Sequence, residues 1–131
     1  MKRLFTLLLP IALSALVSPA YAKDPLVQML PVRTPGMSPG QVARKAITQS
    51  VGQPLFIVGD DARSHRWLRA KQDYLTRIHA VGVVVNVNDA RGWRRMTQYG
   101  LTVYPVRGDD FANAFGITHY PVLVEDHTVK Q

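Results

Sequence analysis

The chain of 131 residues contains no cysteine. This absence excludes thiol nucleophiles, dithiol redox chemistry and thiolate metal sites, and it leaves a packed core as the source of stability. The glycine patterns of nucleotide-binding loops are also missing, and no serine lies in a G-x-S-x-G turn. Nucleotide binding and serine hydrolysis of that type therefore have no support in the sequence.

Long apolar runs are absent after the first 22 residues. At the start, Lys2 and Arg3 precede an apolar stretch over residues 4–17, and Ala20-Tyr21-Ala22 offers the small residues of a cleavage site. The stretch of about 14 residues is shorter than the roughly 20 that cross a bilayer. We predict a signal peptide over residues 1–22, cleaved after Ala22, and a periplasmic protein, with a retained anchor as the alternative.

The charge is strongly basic, with 16 Lys and Arg against 9 Asp and Glu and a formal net charge of +7. An exported basic protein could contact anionic lipid, nucleic acid or an acidic protein. Arg91, Arg94 and Arg95 surround Trp93, and arginine beside an aromatic ring is typical of proteins that bind single-stranded nucleic acid. However, Trp93 also fits the buried face of a helix, which leaves a solvated basic face as the simpler interpretation.

The chain divides into a leader, a regular domain and a tail. Residues 23–53 are rich in proline and glycine and predict a leader that is extended over 23–37, with a candidate short helix from Ser38 or Gly40 through Ile47. Apolar runs and capping residues alternate over 54–126, which predicts an α/β domain of order β-α-β-α-β-α-β. Residues 127–131 are predicted to be a polar tail.

Polar residues follow the first predicted strand. Asp60 and Asp61 come directly after it, and Ser64 and His65 open the next helix, at the end of the sheet where open α/β folds build their sites. Two carboxylates and a histidine could serve acid–base chemistry or hold a hard cation, but helix capping explains the pair equally well. The four histidines lack the spacing of zinc ligands, so no metal or cofactor is predicted.

Residues 111–124 carry the most specific pattern, F-A-N-A-F-G-I-T-H-Y-P-V-L-V. A helix ending in F-G-I and followed by a proline that opens a strand resembles the thioredoxin-like fold. The resemblance implies a cis peptide bond at Tyr120-Pro121, with an ordinary trans proline at the start of a strand as the alternative. The C-x-x-C motif of that fold is replaced by D-D-A-R-S-H at 60–65, so disulfide exchange is not implied. Exported pilin-assembly proteins of F-type conjugation systems are similar in combining a signal peptide, inserted elements and this ending.

A broader pattern joins P-L-F-I-V-G-D-D at 54–61, S-x-x-W-L at 64–68, V-G-V-V-V-N-V at 81–87, P-V-x-G-D-D at 105–110 and H-Y-P-V-L at 119–123. In order and spacing it resembles a family of small exported proteins encoded in bacterial integrating conjugative elements. The resemblance implies a role in conjugative transfer within a type IV secretion apparatus, and it implies no catalytic residue.

We therefore expect an exported, non-enzymatic protein with a thioredoxin-like mixed sheet, which recognises envelope proteins of a conjugation machine. The turn at 59–65 and the turn at 119–121 should lie side by side and form the contact surface. Peripheral membrane contact is compatible with this prediction, and the alternatives are a basic binder of transferred DNA and a hydrolase built on Asp60, Asp61 and His65. The candidate partner-binding residues are Asp60, Asp61, His65, His119, Tyr120 and Pro121.

Overall fold

The computed structural model describes residues 24–131, so the predicted signal peptide lies outside the described residues. A 3₁₀ helix spans Pro25–Met29. The strands are β1 Ser38–Pro39, β2 Lys45–Ala46, β3 Leu55–Val58, β4 Val81–Val84, β5 Thr102–Pro105, β6 His119–Tyr120, β7 Val122–Glu125 and β8 Thr128–Lys130. The α-helices are α1 Ala62–Arg77, α2 Ala90–Thr97 and α3 Asp109–Phe115.

Six strands form one mixed sheet in the order β2-β8-β7-β3-β4-β5. β3, β4 and β5 are parallel, whereas β7 and β8 run antiparallel to their neighbours. β1 and β6 form a separate parallel pair. Within residues 24–131, the mixed sheet and the three α-helices confirm the predicted α/β class.

Capping residues close in sequence define where the helices begin and end. The Asp61 carboxylate accepts from the Ser64 amide at the start of α1, and the Asp89 carboxylate accepts from the Gly92 amide at the start of α2. Gly116 ends α3 in the left-handed conformation, with φ of 63°. Each of these residues acts within three positions of the backbone group that it binds or the helix that it ends, although the first helix begins at Ala62 and not at Ser64, which the sequence also offers as a cap.

Apolar side chains cover both faces of the sheet. Trp67, Leu68 and Leu75 of α1 pack with Trp93 and Met96 of α2 on one face. On the other face, Phe115 of α3 packs with Met37, Ile117 and the inward residues of β3, β4 and β7. Most residues of the central strands β3, β4 and β7 are buried, as expected for a sheet that is covered by helices on both faces.

The segment after Asp24 is not a separate leader. Val32, Thr34 and Met37 are at most 5% exposed, and Leu26, Val27 and Leu30 pack against the core beside α2. The predicted helix through Ile47 is wrong, since residues 38–39 and 45–46 are strands that pair with β6 and β8. The segment is extended because its backbone groups find partners far along the chain, which outweighs a weak local preference for helix.

The prediction of a polar tail is also wrong. Residues 128–130 form β8, and Val129 is fully buried against the sheet. Asp126 and His127, with φ of 50° and 59°, form the two-residue turn that joins β7 to β8. Two consecutive residues with positive φ suit the twist of a tight hairpin. The sequence Asp-His lacks the glycine that is typical of such a turn, so the sequence does not predict it.

Candidate functional site

The carboxyl ends of β3 and β4 carry the polar residues of the candidate site. The structure places the turn at 59–65 beside the turn at 119–121, because Gly59 packs directly against Tyr120. A Cβ added to Gly59 would lie 2.7 Å from the Tyr120 hydroxyl oxygen. The peptide bond between Tyr120 and Pro121 is cis, which is the first of the two alternatives that the sequence left open.

Four side chains form a charged cluster at this edge: Asp60, His65, Arg95 and Tyr99. Arg95 donates to both carboxylate oxygens of Asp60, with Nη2 at 2.8 Å from Oδ2 and Nε at 3.2 Å from Oδ1. His65 Nε2 lies 2.8 Å from Asp60 Oδ1, and His65 Nδ1 lies 2.5 Å from the Tyr99 hydroxyl. The cluster ties the start of α1 to α2 and to Tyr99, two residues after the end of α2.

The surroundings of this cluster set its protonation. Burial opposes ionisation of Asp60, but hydrogen bonds from Arg95 and His65 outweigh it and hold the pKa of Asp60 below its ordinary value. Burial is also the main reason why the pKa of Tyr99 is raised. Because both ring nitrogens of His65 already contact side chains, this arrangement leaves neither of them open to a substrate.

Asp61 and Ser64 close the turn between β3 and α1. The Asp61 Oδ2 atom accepts from the Ser64 amide at 2.9 Å, and the Ser64 hydroxyl accepts from the Gly59 amide at 3.1 Å. Ser64 is fully buried. Within residues 24–131, Asp61 Oδ1 is buried without a hydrogen-bond partner. The geometry therefore gives Asp61 a capping role, as the alternative interpretation of the sequence holds.

A second cluster, the amide cluster, consists of Thr34, Asn86 and Tyr120. The Asn86 side chain donates to the Tyr120 hydroxyl at 3.0 Å and to the carbonyl of Met37 at 3.2 Å, and it accepts from the Thr34 amide at 2.8 Å. Its backbone carbonyl accepts from the Asp60 amide at 2.9 Å. Asn86 therefore connects the N-terminal segment, the residue before Pro121 and the charged cluster.

Thr34 holds the N-terminal segment against the sheet. Its hydroxyl donates to the Val85 carbonyl at 2.8 Å and accepts from the Gly108 amide at 3.0 Å. The residue is 1% exposed, so these bonds lie away from solvent. Buried hydrogen bonds of this kind fix the position of a segment, because leaving the partners unpaired costs more than the bond itself contributes.

The edge at residues 118–120 is covered by the chain itself. The Ser38 amide donates to the Thr118 carbonyl and the Gly40 amide donates to the Tyr120 carbonyl, each at 3.0 Å. Tyr120 is 2% exposed, and Pro121 is buried too. Of the candidate residues in this turn, only His119 is partly exposed, and Ser38 and Gly40 lie against it.

Two cavities flank the segment that covers this edge. One of about 250 Å³ is lined by residues 41–43 and by Lys45, and one of about 360 Å³ is lined by Gly36, Met37 and residues of α3. Gly116, Ile117 and Thr118 line both cavities. We call these two cavities together the groove, and residues 116–119 form its floor. We call the segment 37–40, which lies between the two cavities, the strap.

Two absences hold for the described residues. Residues 24–131 contain no group of three or more histidine, aspartate or glutamate residues placed to hold a metal ion. In the same part of the chain, no helix is long and apolar enough to cross a membrane.

Sequence reasoning did not single out Thr34, Asn86 or Tyr99 as site residues. The position of Asn86 could have indicated a site residue, since it is the first polar residue after the buried β4 and lies at the same sheet edge as Asp60. The position of Thr34 gave no such indication, because its partners lie 51 and 74 positions away.

The match to a protein-family model covers residues 12–129 and therefore includes both clusters and the groove. The chain belongs to the DUF2859 family of proteins of unknown function. Comparison of this DUF2859 protein with curated proteins and with solved structures gave no match.

Proposed function

We propose that this DUF2859 protein is an exported, non-enzymatic accessory of the type IV secretion apparatus of an integrating conjugative element, and that it acts in the periplasm by binding an envelope protein. The sequence resemblance to small exported proteins of such elements, and to F-type pilin-assembly proteins, supports the setting. The binding role depends on one feature of the molecule, the strand edge at β6.

The order of the central strands supports a thioredoxin-like fold. β3 and β4 are parallel and joined by α1, and β7 and β8 form an antiparallel hairpin that adds to β3. α3 precedes Pro121 and β7, as the resemblance implies. The helix α2 and the strand β5 are then additions at one side of this arrangement.

The observation that carries the proposal is the pairing of β6 with β1. An extended segment already lies on this edge as an added parallel strand, with hydrogen bonds at Thr118 and Tyr120. Backbone groups that bind one extended segment are spaced to bind another, which is how many proteins recognise peptides. The engagement of both ring nitrogens of His65 further favours recognition over catalysis.

Photo-crosslinking in cells that carry the conjugative element tests this proposal. A photoreactive residue at exposed Thr118, on the groove floor, should link the protein to a component of the transfer apparatus, identified by mass spectrometry. The control position is Thr76, which is exposed on α1 and whose hydroxyl donates to the Gln72 carbonyl of its own helix. The same product from both positions, or none from Thr118, would contradict the proposal.

Gene deletion tests the setting separately. Deletion should lower the frequency of conjugative transfer, and the full-length gene should restore it. A version that lacks residues 2–22 should not restore transfer if export is required. Full restoration by that version would overturn the periplasmic assignment.

A second candidate function, binding of transferred DNA, is favoured by the distribution of arginine. α1 and α2 cover the same face of the sheet, and both carry exposed arginines. In the described part of the chain none of these five takes part in an ion pair: Arg63, Arg66, Arg69, Arg91 and Arg94. Binding of this kind weakens steeply with salt, so a gel-shift assay at two salt concentrations distinguishes it from protein recognition.

A further inference from the structure

The strap shows what kind of segment the groove accepts. Met37 is 3% exposed and packs with Val85 and Ile57 in the core. A Cβ added to Gly108 would lie 2.6 Å from the Met37 sulfur, so the backbone there approaches the methionine closely. The first requirement of the groove is therefore a large apolar side chain at this position.

The second requirement appears three residues later. A Cβ added to Gly40 would lie 2.7 Å from the Cγ and Nδ1 atoms of His119 and 3.2 Å from its Cβ. Because rotation of the ring about the Cβ–Cγ bond leaves Cγ in place, the His119 side chain must change its χ1 angle, or the backbone must shift, to relieve this clash. Glycine therefore fits over His119 without a shift of that side chain, while the two intervening residues, Ser38 and Pro39, are exposed.

The strap is held by the buried side chain of Met37 and by the segments on either side of it. On one side Thr34 is anchored by buried hydrogen bonds, and on the other β2 pairs with β8. Between Met37 and β2 most residues are exposed, and only Gly40 and Val42 are partly buried. Exposed stretches with few buried contacts open at low free energy, so residues 38–41 open readily, whereas release of the whole strap also removes Met37 from the core.

We propose that the groove recognises an extended partner segment in which a large apolar residue stands three positions before a glycine, and that this segment enters by displacing the strap. It runs parallel to His119–Tyr120 and repeats the hydrogen bonds that Ser38 and Gly40 make now. This inference rests on the proposed function. The strap then acts as an internal competitor, which lowers the apparent affinity by the fraction of molecules in which the groove is open.

Two glycine substitutions distinguish displacement of the strap from a general loss of stability of the protein. Gly40→Ala introduces the clash with His119, whereas Gly36→Ala meets nothing within 4 Å and is the matched control. The probe is a fluorescent peptide of residues 35–43, Pro-Gly-Met-Ser-Pro-Gly-Gln-Val-Ala, added to the whole mature chain. Hydrogen exchange at the Ser38 and Gly40 amides reports opening of the strap in the same samples.

We expect Gly40→Ala to speed exchange at these two amides and to bind the peptide about tenfold more tightly than the wild type and Gly36→Ala do. A peptide with valine in place of its second glycine should bind at least tenfold more weakly. Unchanged exchange in Gly40→Ala overturns displacement of the strap. Faster exchange without a gain in peptide affinity overturns the ligand class, while the crosslinking at Thr118 still decides the proposed function.

If Gly40→Ala does not fold, an engineered disulfide that holds the strap in place until it is reduced tests the same inference. The chain has no cysteine, so Ser38→Cys with His119→Cys places a single cysteine pair at paired strand positions. Oxidation should close the groove and abolish peptide binding, and reduction should restore it. Equal binding in the two states contradicts the inference.

Discussion

The two polar clusters at the ends of β3 and β4 are built from different chemistry. The charged cluster joins Asp60 to Arg95 and His65 and ties α1 to α2, so its strength depends on protonation. The amide cluster is neutral, with Thr34 and Tyr120 buried and Asn86 partly buried, and it ties the N-terminal segment to the sheet through Thr34 and Asn86. The comparison shows that one sheet edge combines a part that responds to pH with a part that does not.

The largest effect is expected in the amide cluster. Thr34→Val keeps the shape of the side chain but leaves the Val85 carbonyl and the Gly108 amide buried without their partner. We expect the free energy of unfolding to fall by about 2–3 kcal/mol, equally at every pH from 5 to 8. Urea denaturation measures this, and Thr48→Val, at an exposed threonine of the same segment, should change stability by less than about 0.5 kcal/mol.

A smaller and pH-dependent effect is expected in the charged cluster. Because the pKa of Asp60 is lowered in the folded protein, its ionised form stabilises the fold above the unfolded pKa, and this contribution is lost as the pH falls through the folded pKa. Asp60→Asn should cost about 1 kcal/mol or less at pH 7 and almost nothing near pH 2.

Urea midpoints measured between pH 2 and 7 check this prediction. The matched control is Asp73→Asn, at an exposed aspartate of α1 that forms no ion pair in the described part of the chain. If the difference in urea midpoint between Asp60→Asn and the wild type is the same at every pH in this range, the stability of the charged cluster does not depend on pH, and the proposed difference between the two clusters is wrong.

The smallest effect on global stability is expected at the strap. The Gln131 side chain donates to the Gly40 and Pro121 carbonyls, each at 2.9 Å, and accepts from the Val42 amide at 3.4 Å. Gln131→Ala should change the free energy of unfolding by less than about 0.5 kcal/mol while speeding exchange at Val42 severalfold. Gln98→Ala, which removes a bond to the Arg95 carbonyl in the neighbouring turn, should leave exchange at Val42 unchanged.

The sequence predicted the regular domain because its signals are local. The apolar run at 55–58, the caps at Asp61 and Asp89 and the glycine at 116 each act within a few residues of the element that they define. The same reasoning failed for residues 38–47 and 128–130, where short strands depend on partners elsewhere in the chain. For the candidate site, the sequence predicted that the turns at 59–65 and 119–121 lie side by side, as they do, but it did not single out Asn86 or Thr34.

The sequence by itself determined where most helices and buried strands lie, since periodicity and capping are properties of neighbouring residues. Only the tertiary structure decided that the N-terminal segment belongs to the core and that the strap covers the edge beside Pro121. The strap is fixed by backbone hydrogen bonds to residues 118 and 120, about 80 positions away along the chain. Such pairing requires the sheet to exist first, and no local pattern in residues 37–40 can encode it.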